Sequence, residues 1–374
     1  MKSNPLLAAS LAALLAVAVP SLRAEEAPVD IEEEAATPTA AELDGWRKSM
    51  LEMTERQRKA YENLKASASP RDWAIASQIH VNVMDFGPDG QPKFDSEKAE
   101  RLDADRAELL RNAAAGAPSD KLVQWLALHE MPHAGGGCSS SALPAERIEA
   151  VQGLEPDNGL AWLSTLAAAT LAKDDFAIDE ALARMAAAKR YDNHVVDYTL
   201  ALVDTAKRHP GVLGMPVDEK SGIAPEQLAL IGAFGVGRSL STTSYAFGEV
   251  CDAGKQVDAD LRRFAACADL GRRLSREAAT FDLRKLGFEL LRQSAQADET
   301  DLAAERDLDW LGYQIGQVVR GGNEEKMKSF LAEGSTAWFD KRDDVAVLEA
   351  LFKSRGIPVT APAGWQPPAG SVVE

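Results

Sequence analysis

The chain has 374 residues, 58 of them acidic and 41 basic, for a net charge of −17 and a sequence pI near 4.9. That field repels nucleic-acid phosphates and anionic lipid surfaces, so neither is a favoured partner. Ala-rich and Leu-rich stretches with few β-branched runs point to helix throughout, and no strand is expected.

Met1 to Ala24 reads as a secretory signal peptide (residues 1–24). Lys2 supplies the positive start, Pro5 to Val19 is almost entirely apolar, and Ser21-Leu22-Arg23-Ala24 ends on a small residue. The apolar run is broken by Pro20 too early for a comfortable membrane span, and no Cys follows it to carry a lipid. The expectation is a periplasmic or secreted protein, cleaved after Ala24, that does not insert into a membrane. Residues 25–39 form an acidic, Pro-containing leader with no periodic apolar face, for which disorder is expected.

The body spans residues 40–356. Leu43, Trp46, Met50, Met53 and Gln57 mark one side of a long polar helix ending near Ala66. Ser69-Pro70 then opens a short helix with Trp73, Ile75, Ala76 and Ile79. Val81 to Phe94 holds Gly87, Pro88, Gly90 and Pro92 and reads as a loop. Ser96 to Ala115 is rich in helix formers with charge on most faces, which predicts a solvated outer helix. Ser119 is placed to cap the helix of Leu122, Val123, Leu126 and Leu128, before Gly135-Gly136-Gly137 breaks the chain. Pro144 suits the first turn of the next helix, with Ile148 and Val151 inward and Gly153 as a left-handed cap. Asp157 or Asn158 caps the helix of Leu160, Leu163 and Ala167. Its partner carries Ile178, Ala181, Leu182 and Met185 at i, i+3, i+4, i+7. A helix from Val195 to Lys207 stops at Pro210.

Further helices occupy residues 225–356. Pro225 opens an apolar one running through Leu228, Ile231 and Phe234 to Phe247. Leu261, Phe264, Ala268 and Gly271 give the next inner face, and Leu283, Leu286, Gly287, Leu290 and Leu291 another. Thr300 caps a helix with Leu308, Leu311, Ile315 and Val318. The last helix carries Val345, Leu348, Leu351 and Phe352 and ends at Lys353, Arg355, Gly356 and Pro358. Residues 357–374 are a Pro-rich tail that Trp365 is placed to pin to the body.

Laying Asp120 on Asp157 puts Trp125 on Trp162, and Tyr198 continues the series at spacings of 37 and 36 residues. That period is one helix-turn-helix unit. At Glu155-Pro156-Asp157-Asn158-Gly159-Leu160-Ala161-Trp162, and again at Asp179-Glu180-Ala181-Leu182, the sequence resembles a tetratricopeptide repeat. The pattern departs from the family at Leu166, where a small Gly is usual, and the loop between the helices is longer. The resemblance covers residues 117–207. It implies an α-α hairpin stack that offers a surface to protein or peptide partners, and it implies neither catalytic residues nor cofactors.

The motif with a chemical signature is His129-Glu130-Met131-Pro132-His133, a formal H-e-x-x-H match. On one helix that spacing turns both imidazoles to a zinc ion, with Glu130 as base for the bound water. Pro132 works against it, since it cannot donate to the carbonyl of Leu128 and drives Met131 out of helical geometry. The frayed end of a helix is therefore the favoured reading, and a zinc-dependent hydrolase built on His129, His133 and Glu130 is the competing one. A looser set with Cys138 has no template. Gly232-Ala233-Phe234-Gly235-Val236-Gly237 lacks the order of a dinucleotide loop and suits close helix packing. The hydroxyl cluster Ser239, Ser241, Thr242, Thr243 and Ser244 has no partner pattern for a nucleophile.

His80, His194 and His209 read as isolated surface or packing residues. Asp174-Asp175 and Asp343-Asp344 read as charge at helix N-termini. Trp125, Trp162 and Tyr198 read as wedges between units, with a ligand-stacking ladder, as in a small-ligand carrier, the other possibility. Three disulfide pairings are possible among Cys138, Cys251 and Cys267. The short separation favours Cys251–Cys267, a loop worth roughly 3 kcal/mol. The pair sits awkwardly on a straight hairpin, because a disulfide needs Cα atoms within about 7 Å.

Overall fold

The computed structural model describes residues 40–79, 81, 84–86, 92–128, 145–209, 211–212, 224, 245–254, 261–321 and 324–368. The signal and leader segments lie outside them. So do His129, Glu130, His133, Cys138, His80, the glycine run at Gly232 and the hydroxyl cluster at Ser239.

Fourteen α-helices run through the described residues. They are α1 (Ala40–Lys65), α2 (Pro70–Gln78), α3 (Ser96–Gly116), α4 (Lys121–Leu128), α5 (Ala145–Leu154), α6 (Leu163–Ala172) and α7 (Asp175–Ala187). There follow α8 (Val195–Arg208), α9 (Tyr245–Val250), α10 (Leu261–Glu277), α11 (Phe281–Gln293), α12 (Glu299–Gly321), α13 (Glu324–Lys341) and α14 (Asp344–Ser354). A 3₁₀ turn, Gly159–Trp162, leads into α6. The fold is all-α in substance, and no helix among the described residues is long and apolar enough to cross a membrane. The expected loop before α3 contains a two-strand antiparallel hairpin, β1 (Met84–Phe86) against β2 (Pro92–Phe94). Pro92 sits at the start of its strand, one of the few sheet positions open to a residue without an N–H.

Side-chain caps set the helix boundaries. Ser69 caps α2, Asp174 caps α7 and Asp343 caps α14, as their positions before apolar periodicity require. Two caps fall one or two residues from their expected sites. Asp120, not Ser119, accepts the Val123 N–H at 3.3 Å. Asp298, not Thr300, accepts from the N–H groups of Thr300 and Asp301. Gly153 is helical within α5 and caps nothing. At the end of α14 Gly356 does take the left-handed conformation (φ 68°), releasing the chain where Pro358 forbids more helix.

Neighbouring helices pair as α2 with α3, α4 with α5, α6 with α7, α10 with α11 and α13 with α14, and α7 also packs on α10. The main core gathers the predicted faces: Leu122, Leu126, Ile148, Val151, Leu160, Ile178, Leu182 and Met185 are all buried. The outer helix α3 is less solvated than its charge suggests, because Leu109, Leu110 and Ala113 turn inward. Leu261, expected inside, is instead 81% exposed. A second core joins Phe288 and Leu291 of α11 to Leu308 and Leu311 of α12 and to Leu351 and Phe352 of α14. The tail returns onto α12: Trp310 donates to the carbonyl of Pro358 at 2.8 Å, and Trp365 lies edge-on to Trp310.

Cys251 and Cys267 are joined, with Cα atoms 5.8 Å apart. The chain turns back as the pairing requires: the Ala253 N–H, two residues past Cys251, donates to the carbonyl of Gln293 at the end of α11. Helices α10 and α11 approach closely where Gly271 and Gly287 face one another. A Cβ at Gly287 would lie 2.4 Å from the backbone nitrogen of Ser275 and 2.6 Å from the carbonyl oxygen of Gly271. Backbone cannot yield as a flexible side chain does, so Gly287→Ala must push the helices apart. The expected cost is about 1–3 kcal/mol, read as a lower urea midpoint; an unchanged midpoint would show that the contact is loose.

Candidate functional site

A cluster of charged groups, with Glu155 and His194 buried at its centre, lies where two helix entries meet. The chain leaves α5 at Glu155, turns through Pro156-Asp157 and enters the 3₁₀ turn at Asn158. This turn docks alongside residues 189–194, which lead into α8. The Asp157 carbonyl accepts from the N–H groups of Lys189 and Arg190, and Gly159 N–H donates to the Arg190 carbonyl at 2.9 Å. Asn158 is wholly buried and uses its amide on both sides. Its Oδ1 accepts from Leu160 N–H and Asp192 N–H, and its Nδ2 donates to the Asp192 carbonyl at 2.8 Å. Gly159 is required by this approach, since a Cβ there would lie 2.5 Å from the Tyr191 ring.

His194 stands at the start of α8 with a left-handed backbone, φ 56°. Such a φ costs a non-glycine residue roughly 1–2 kcal/mol and persists only where the surroundings impose it. Here the Asp192 carboxylate accepts the His194 N–H at 2.9 Å and holds the turn. The imidazole then lies between two carboxylates. Nε2 is 2.6 Å from Glu155 Oε2, and Nδ1 is 3.0 Å from Asp197 Oδ2. Trp125 closes one side, its ring centroid 5.2 Å away. Arg190 binds Glu155 through one guanidinium nitrogen and Asp192 through the other, and Lys121 lies 3.7 Å from Glu155.

The side chains of Glu155 and His194 are 1% and 2% exposed, so both would discharge if alone. Burial pushes the imidazole towards neutrality, but the Asp197 and Glu155 carboxylates overcome it and raise its pKa to about 9. Burial likewise pushes Glu155 up, and His194 and then Arg190 hold it down at about 2. The hydrogen bond from His194 lowers Asp197 as well. The pair is therefore an imidazolium held by carboxylates. With both ring nitrogens engaged it offers no free lone pair for general-base work. The arrangement joins two helix entries, and one carboxylate each from Asp192 and Asp197 with the His194 ring make the metal-competent group found among the described residues.

His194, expected as an isolated residue, is instead paired on both ring nitrogens. Glu155 lies 39 residues away, and only the docking of the turn after α5 against residues 189–194 brings the two together. His209 is partly buried at the end of α8. The aromatic series does not form an open ladder. Trp125 and Tyr198 are each 2% exposed, and Trp162 is covered by the Arg184 guanidinium at 5.3 Å. Asp174 and Asp343 cap helices, as their expected N-terminal placement implies. The zinc-peptidase stretch His129, Glu130 and His133 lies outside the described residues.

No protein-family model, no curated protein and no solved structure matches the chain.

Proposed function

We propose that the chain is an exported, non-catalytic helical scaffold of the tetratricopeptide-like kind, working through contacts with a protein or peptide. The observation that carries this reading is the junction at Glu155, Asn158 and His194. It fastens the entry of the α6–α7 hairpin to the entry of α8, between residues 39 positions apart, close to the spacing of the aromatic series. Fixed hairpin edges give a surface of defined shape, which is what recognition of a protein segment needs. The buried charges are consumed in that fastening, so the cluster supplies no free acid, base or nucleophile. The strongly acidic balance of the chain favours a partner with basic character.

Photo-crosslinkable residues placed one at a time over the exposed positions of α4 to α8, in intact cells, test the reading. A discrete adduct from a contiguous set of positions is the expected result, with the exported chain beginning at Glu25 on N-terminal sequencing. No adduct from any position, or a hydrolase activity lost on Glu130→Gln with the helical spectrum retained, would overturn it.

A further inference from the structure

We propose that Asp192, His194 and Asp197 bind one divalent transition-metal cation of the zinc class, with Glu155 as the supporting carboxylate behind the histidine. The proposal stands independently of the contact reading above.

One ligand atom from each of the three residues lies within 4.8 Å of the other two. The 3.0 Å between His194 Nδ1 and Asp197 Oδ2 is a few tenths of an ångström short of the roughly 3.4 Å kept by two ligands of a tetrahedral zinc ion, a gap that a small turn of the exposed Asp197 side chain closes. Orientation is the second argument. A ligating histidine characteristically donates its other N–H to a carboxylate, which fixes the tautomer and the ring plane. Glu155 Oε2 accepts Nε2–H at 2.6 Å and is itself held by Asn158 at 3.3 Å, while Arg190 holds Oε1. In the metal-free protein Nδ1 donates to Asp197; the ion displaces that proton to solvent and takes its place, while Nε2 keeps its proton on Glu155.

Access is the third argument. The imidazole is 2% exposed, whereas the Asp192 and Asp197 carboxylates are 37% and 55% exposed. A nitrogen at the base and two oxygens at the mouth let an ion enter from solvent. Asp192 already accepts from His194 N–H and Arg190, but each carboxylate oxygen retains a second lone pair. Three protein ligands leave a position for water. A nitrogen among the donors favours zinc over calcium or magnesium, which prefer all-oxygen sets.

Competition with a chromophoric zinc chelator gives stoichiometry and affinity on the purified protein. His129→Ala with His133→Ala serves as background, because those residues could hold zinc by themselves. The expected result is one zinc per chain in both wild type and background. Asp197→Asn should weaken it at least about tenfold without loss of helical circular dichroism. Asp192→Asn replaces that variant should its spectrum change. In ¹H–¹⁵N correlation of the imidazole, zinc should move the His194 Nδ1 resonance and leave Nε2 protonated. The proposal is overturned by zinc binding that vanishes in the background, by full affinity in both Asp variants, or by an unmoved Nδ1.

Discussion

Glu155→Ala should lower the unfolding free energy by about 3–5 kcal/mol, the usual cost of breaking a buried ion pair from one side. The removed carboxylate accepts from His194 Nε2 and Asn158 Nδ2 and pairs with Arg190. Arg190 is partly exposed and can turn to water. His194 cannot, and its ring must then stay charged beside a void or lose the proton that Asp197 still favours. Glu155→Gln keeps the volume and one acceptor, and should cost less, about 1–3 kcal/mol. Asp157→Ala is the contrast, because its ion pair with Lys189 is 58% and 78% exposed and should matter by no more than about 0.5 kcal/mol. Urea unfolding followed by far-UV circular dichroism at pH 6 ranks the three. Equal midpoints for Glu155→Ala and Asp157→Ala would sink the assignment of Glu155 as the centre of the junction.

Asp344→Ala should produce a loss of stability that grows as the solution is acidified from pH 8 to pH 5. Asp344 opens α14 and faces the turn between α10 and α11. Its Oδ1 accepts from the buried Trp338 Nε1 at 2.9 Å and its Oδ2 from the Phe281 N–H at 3.1 Å. Burial pushes its carboxyl up to about 6 despite those two donors, with Asp282 and Asp343 adding like charge. Arg284, the cation on that turn, is taken up by Asp343. Because the folded chain keeps this proton at a pH where the unfolded chain has released it, protonation favours folding. The gain begins as pH falls through about 6 and is complete near the ordinary carboxyl value of 3.8. It amounts to something on the order of 3 kcal/mol. The variant lacks this gain and leaves two donors unmet at about 1–3 kcal/mol each. Glu305, also raised by burial, moves the same way in both proteins and cancels in the difference. A gap between wild type and variant that is the same at pH 5 and pH 8 would refute the account.

Periodicity and end signals made most of the helices legible in the sequence. The i, i+3, i+4, i+7 set Ile178, Ala181, Leu182 and Met185 is buried as written, because one apolar stripe admits one buried face. Ser69, Gly356 and Pro358 marked real ends, because capping and φ preferences act within a few residues. The same local physics misplaced caps at Ser119 and Thr300, where a neighbouring Asp competed as the stronger acceptor. It also missed the β1–β2 hairpin, whose strands of three residues are too short to show alternation.

The sequence by itself determined the helical class, the Cys251–Cys267 preference and the amphipathic faces, all of which follow from interactions between residues close along the chain. Only the tertiary structure decided what His194 is. A histidine between Asn193 and Val195 carries no local sign of Glu155, 39 residues earlier, or of Trp125 on its face. Burial of a charge is stable only when its partners arrive together, and those partners come from α4, from the turn after α5 and from the start of α8. Tertiary packing likewise required Gly287 to be a glycine and lifted Asp344 towards neutrality. Both effects arise where one helix meets the backbone of another, which no periodicity along a single helix records.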